Sequence, residues 1–243
     1  MRISLLFVLG LGLLNAQSSA PAAKKTPTAS TPAQFPQRES LHYTINWESG
    51  LSLGDGQLTA TPAKAGDIDG WEFTLQLQAA VPKFPVAEFT RSLSTANFCA
   101  VESEKKAVRG KRKTDEKTTF EPKLLKAIRQ TTNGGQSELS TSPCAKDALA
   151  FLNFLRRELI QGRLPQAQTV YYGAPYEIGV QYIGTQKVKI GDGEAEAERI
   201  GISIKGPAAR QNAEVFFLKD AVRTPARVRV VLPAGVISMD LAR

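Results

Sequence analysis

His42 is the only histidine in the chain. Histidine supplies the base of most hydrolytic triads and a ligand of many zinc sites, so a single copy removes most such arrangements from contention. It also sits in the polar register of an alternating run, Leu41-His42-Tyr43-Thr44-Ile45, which reads as a solvent-facing position. A cysteine–histidine nucleophile would need His42 beside Cys99 or Cys144, and nothing in the sequence places it there. Ser103-Glu104-Lys105-Lys106 matches the S-x-x-K of penicillin-binding enzymes, but the S-D-N and K-T-G companions are missing and the context is a basic strand. Gly201-Ile202-Ser203-Ile204-Lys205 lacks the second glycine of a nucleophile elbow, and the other glycine turns fit neither a phosphate loop nor a dinucleotide fingerprint. The acidic residues are scattered, with no metal-ligand spacing. The expectation is a protein without catalytic residues, metal or cofactor, with a hydrolase as the remote alternative.

Two sets of residues carry other chemistry. Cys99 and Cys144 are the only cysteines, an even count that favours a disulfide in an oxidising compartment. Closing that loop would restrict the unfolded chain by roughly 4 kcal/mol in the entropy model. Two separate buried thiols are the alternative. Between Lys105 and Lys117 the chain reads KKAVRGKRKTDEK, seven basic residues against Asp115 and Glu116, with Gly110 marking a hairpin turn. A charge run reads first as a solvated strand face. Its functional reading is contact between Lys105, Lys106, Arg109, Lys111, Arg112 and Lys113 and an anionic envelope surface, each near-surface cation adding up to about 1 kcal/mol. No aromatic residue is interleaved, so nucleic acid is not an expected partner despite a formal net charge of +8.

The elements that must position these groups are mostly strands. Leu41, Tyr43, Ile45 and Trp47 alternate with polar residues, and Trp71, Phe73, Leu75 and Leu77 do so again. Gly50, Gly54 and Gly56 read as a turn between them, and Asn133-Gly134-Gly135 as a later hairpin turn. Further strands follow at short spacing, from Thr169 to Tyr172, Tyr176 to Gly184, Gln186 to Ile190, Glu194 to Ile204, Ala213 to Leu218, Ala226 to Leu232 and Val236 to Leu241. One stretch breaks the pattern. From Ser142 to Gly162, Leu149, Phe151, Leu152, Leu155, Leu159 and Ile160 recur at helical spacing, leaving Asn153 and Arg157 for water. Ser142-Pro143 or Asp147 caps its start, and Gly162 follows its end.

The fold expected is mainly β: a strongly curved antiparallel sheet or partly open barrel with one principal α-helix packed on its concave side. Leu149, Leu152 and Leu155 then face either the core or a ligand held between sheet and helix. At the N-terminus, Arg2 precedes an apolar core of Ile3 to Leu14 too short to span a bilayer. Ser18 and Ala20 fit a small-residue cleavage site better than Leu14 and Ala16 do, so residues 1–20 read as a signal peptide, with an uncleaved anchor as the alternative. Residues 21–38, rich in Pro, Ala and Thr, read as a disordered tether, and 39–243 as one domain.

Four blocks together resemble the exported bacterial family known as domain of unknown function 3108. They are Glu39 to Trp47 with Gly54, Asp147 to Arg156, Phe217 to Pro225, and Gly235 to Leu241. The resemblance implies a secreted or periplasmic β-rich domain with one helix, and brings neither an activity nor catalytic residues. Combined with the fold expected, it points to a non-catalytic envelope protein that binds a lipid or other amphiphile. A partner-binding or structural protein with a filled core is the alternative.

Overall fold

Alternation with period two dictates strands, and the computed structural model, which describes residues 35, 37–81, 84–207, 210–232 and 235–242, contains fifteen of them in a single sheet. The stretch read as a signal peptide and almost all of the stretch read as a tether lie outside the described residues. In chain order the first strands are β1 (Glu39–Trp47), β2 (Ser52–Ala65), β3 (Ile68–Val81), β4 (Phe84–Thr95) and β5 (Ala100–Arg109). Next come β6 (Arg112–Glu121), β7 (Lys126–Thr131), β8 (Gln136–Ser140) and the two-residue β9 (Lys146–Asp147). After the helix α1 (Ala148–Ile160) run β10 (Gln168–Tyr171), β11 (Pro175–Ile190), β12 (Gly193–Lys205), β13 (Arg210–Leu218), β14 (Pro225–Leu232) and β15 (Gly235–Leu241). The spatial order is β8 down to β1, then β15 down to β9, so the terminal strands pair at the centre and the middle of the chain forms both edges. Every pairing is antiparallel except that of β9 with β10.

The sheet is curved and does not close into a barrel, because its two ends meet face to edge. The β9–β10 end lies against the inner side of β4–β7. Tyr171 packs on Phe120 with ring centres 5.7 Å apart, and its hydroxyl donates to the Ser140 carbonyl at 2.6 Å. The Ala100 amide donates to the Ala145 carbonyl at 2.8 Å, and the Cys99–Cys144 disulfide fixes the same junction covalently.

The helix seals the concavity. Leu149 and Ala150 pack with Tyr43, Leu58, Phe73 and Phe98, while Leu155 and Leu159 pack with Ile200, Val215 and Phe217. Leu152 is half-buried between these two clusters. Asp147, not Ser142, is the cap: its Oδ1 accepts from the Leu149 and Ala150 amides at 2.9 and 3.0 Å. Arg157, left for water by the periodicity, is half-buried, its guanidinium 4.7 Å from the centre of the Phe98 ring.

Further expectations give way. Asn153, read as water-facing, is 1% exposed, and beside it Arg156 is fully buried. Arg156 donates to Glu39 at 2.6 and 2.9 Å, to the Arg223 carbonyl at 3.1 Å and to Asn153 at 3.1 Å. It thereby joins the helix to the start of β1 and to the turn between β13 and β14. Gly54 and Gly56 lie inside β2 rather than in a turn; a Cβ at Gly54 would run into the backbone of Gln78, so close strand approach is what requires glycine there. Tyr176 to Gly184 and Gln186 to Ile190 are one strand, β11, with a bulge between Tyr182 and Gly184. Phe35 lies within the stretch read as tether, yet its ring packs 5.1 Å from Trp71 and 5.3 Å from Phe98.

Candidate functional site

Side chains alternate across a strand, so the β5–β6 hairpin distributes its charges between two faces. Lys105 and Arg109 point inward with Ala107, and Arg112, Thr114 and Glu116 join them from β6. Lys106 and Lys113 point outward, and Lys111 stands at the turn. The six cations read as one surface therefore form two sets.

The inward set lines a cavity of about 260 Å³, closed by Arg129 of β7 and by the corner between β10 and β11. That corner carries Tyr172, Gly173 and Ala174. Gly173 has φ +72°, and a Cβ there would stand 2.6 Å from the Glu116 carboxylate. Only glycine lets the corner settle this closely on the buried acid. The Lys105 ammonium lies 3.6 Å from the centre of the Tyr172 ring and 3.8 Å from Glu116. Arg129 donates through Nε to Glu116 at 2.7 Å. Beside the cavity, the exposed Arg109 pairs with buried Glu88 at 2.8 Å, and the Tyr172 hydroxyl donates to the other oxygen of Glu88.

Both carboxylates are nearly inaccessible, Glu116 at 5% exposed and Glu88 at 8%. Burial on this scale is tolerated because each acid has a cation within reach. Desolvation lowers the pKa of the Lys105 ammonium, with Glu88 and Glu116 pulling it back up. Glu88 holds Arg109 protonated. Burial, reinforced by the Glu88 charge, drives the Tyr172 phenol well above its ordinary range, so Tyr172 serves as a neutral donor. Arg112 has no acidic partner among the described residues. Four cations thus face two carboxylates, and the surplus is positive.

On the same face of the sheet, β4 carries a row of polar residues behind the cavity. Glu88, Thr90, Ser92 and Ser94 are all buried, whereas Phe89 and Leu93 between them are only half-buried. Ser92 donates to Asp147 at 2.5 Å, which connects this row to the helix cap. Burial pushes the Asp147 carboxyl up to about 6 against the pull of the Ala150 amide, Ser92 and the Leu149 amide.

The other residues singled out from the sequence lie elsewhere. Leu149 and Leu155 are core, and neither they nor Leu152 line the cavity. Cys99 and Cys144 are joined outside it. His42 is exposed and borders a shallow hollow with Asp55 and Gln57. Glu88, Tyr172, Gly173 and Arg129 had not been singled out. A buried-looking glutamate in phase with Thr90, Ser92 and Ser94 was the available signal, but the neighbouring Phe89 and Leu93 give the opposite phase. Among the described residues, no group of three or more His, Cys, Asp or Glu could hold a metal ion, and no helix is long and apolar enough to cross a membrane.

No curated protein matches the chain. Among solved structures, it is similar to a crystal structure described as a beta-barrel-like protein of domain of unknown function DUF1849 from Brucella abortus. The two share 9% identity, with 83% of this chain and 94% of the other covered at a TM-score of 0.55. That likeness supports the architecture alone. The family model described as "Protein of unknown function (DUF3108)" matches residues 42–242, nearly all of the described chain, and the protein belongs to that family.

Proposed function

We propose that this is a non-catalytic protein of the cell envelope that holds an amphiphilic ligand by its anionic group, in the cavity under the Tyr172–Ala174 corner. The observation that carries this reading is the partly open cavity itself, with surplus positive charge from Lys105, Arg109, Arg112 and Arg129. A volume of about 260 Å³ falls short of the ~300–1,000 Å³ of sites that engulf whole ligands, and suits a headgroup with the remainder outside. The space between helix and sheet is occupied by Leu149, Leu155, Phe73 and Phe217, so the ligand is not placed there. Export is the setting in which the disulfide makes sense, and the leader-like N-terminus of the sequence supports it. The filled interior favours a second reading, a structural or partner-binding envelope protein.

Native mass spectrometry of protein taken from its own envelope tests the proposal. The expected result is a retained anionic molecule, lost in Arg112→Ala and Lys105→Gln and kept in Leu152→Ala. Loss in Leu152→Ala alone would move the ligand back to the helix, and protein free of any ligand would favour the second reading.

A further inference from the structure

The outward set of the hairpin is a separate feature. Strand register places two rows of side chains on this face: Gln76, Phe89, Lys106 and Asp115 in one, and Gln78, Ala87, Val108 and Lys113 in the next. Lys111 stands at the turn beyond them. Farther along the same face the charges satisfy one another. Arg91 bonds Glu72 at 2.7 Å and Glu102 at 3.0 Å, and Lys117 bonds Glu102 at 2.7 Å. Near the turn they do not: among the described residues none of Lys106, Lys111 and Lys113 is in an ion pair, and Asp115 is the one carboxylate among them. Between the lysines lies a shallow groove of about 330 Å³, with half-buried Phe89, Ala87 and Val108 along it.

We infer that this face docks on an anionic bilayer surface, with Lys106, Lys111 and Lys113 on the headgroups and Phe89 and Val108 at the interface. Lysine stems can lie along apolar surface while their ammonium groups reach the headgroups. A soluble polyanion would use the charge and leave the apolar groove exposed, whereas a bilayer interface covers both. The proposal is independent of the cavity, whose cations project from the other side of the sheet.

Co-sedimentation of the full chain with vesicles tests it. Binding to phosphatidylglycerol mixed with phosphatidylcholine should be strong, should fall as salt is added, and should be absent on phosphatidylcholine alone. The triple variant Lys106→Glu, Lys111→Glu, Lys113→Glu should bind at least about tenfold more weakly. A control triple, Lys187→Glu, Lys189→Glu, Lys205→Glu, changes the net charge equally on the β11–β12 hairpin and should bind almost as wild type does. Val108→Ser should weaken vesicle binding without altering binding to soluble polyphosphate. Equal losses in the two triple variants would reduce the effect to net charge and overturn the proposal. So would wild-type binding to polyphosphate with none to vesicles.

Discussion

Along β1–β3 the concave face carries Tyr43, Leu58, Ala60 and Phe73; along β4–β6 it carries Glu88, Thr90, Ser92, Lys105, Glu116 and Thr118. The two regions belong to one sheet and are comparably buried, but what covers them differs. The first is capped by the apolar side of α1 and excludes water by packing. The second is covered by the helix cap and the β10–β11 corner, both of which bring polar partners: Asp147 to Ser92, Tyr172 to Glu88. A buried polar group is costly unless it is bonded; the cover bonds Ser92 and Glu88, while the buried Thr90 and Ser94 hydroxyls have no partner among the described residues. The difference separates a region built for stability from one able to recognise charge.

Arg156 sharpens this comparison most. It is a charged residue in the apolar region, and Arg156→Ala would leave the largely covered Glu39 unpaired at a cost of about 3–5 kcal/mol. Arg129→Ala in the polar region should cost only about 1–2 kcal/mol, because Lys105 remains within 3.8 Å of Glu116. Urea unfolding of both variants measures the contrast, and equal costs would dissolve it.

Leu155 comes next. It is wholly buried, and Leu155→Ala should lose about 2–5 kcal/mol to lost burial and the cavity left behind. Leu152→Ala should lose less, since Leu152 is only half-buried. A reversed order in the unfolding midpoints would mean that the helix face is turned from the arrangement described.

The smallest effect lies at the seam. Asp147 has its folded-state carboxyl pushed up to about 6, so the folded protein holds that proton more tightly than the unfolded chain does. Its contribution to stability is complete below the ordinary aspartate range and is lost as pH rises through about 6. Glu102, Glu214 and Asp240, held below their ordinary values, act in the opposite sense and weaken the fold only under stronger acid. Unfolding free energy should therefore fall by about 1–1.5 kcal/mol between pH 5 and 7.5. Asp147→Asn, which keeps a capping side chain, should abolish most of that slope. Denaturant midpoints at the two pH values decide it.

Mainly β structure, one helix between Ser142 and Gly162, the Cys99–Cys144 pairing and the inward phase of β1 and β3 could all be read from residue order. Each follows from local periodicity or from counting, and periodicity is a property of neighbours in the chain. The inward phase of β4 could not be read that way. Phe89 and Leu93 suggest an apolar inner face, but that face carries Glu88, Thr90, Ser92 and Ser94, and the partners of Glu88 and Ser92 arrive from residues more than fifty positions away, while the Thr90 and Ser94 hydroxyls have none among the described residues. The same holds for Arg156, a charged helix residue buried because β1 and the β13–β14 turn close over it with hydrogen-bond partners. The basic hairpin was visible as a single charge run, and the pleat divided it into a cavity wall and an outer face. Sequence determined where the chain alternates; tertiary structure decided which alternating polar residues would be covered, since only distant segments could supply the hydrogen bonds and counter-charges that make their burial tolerable.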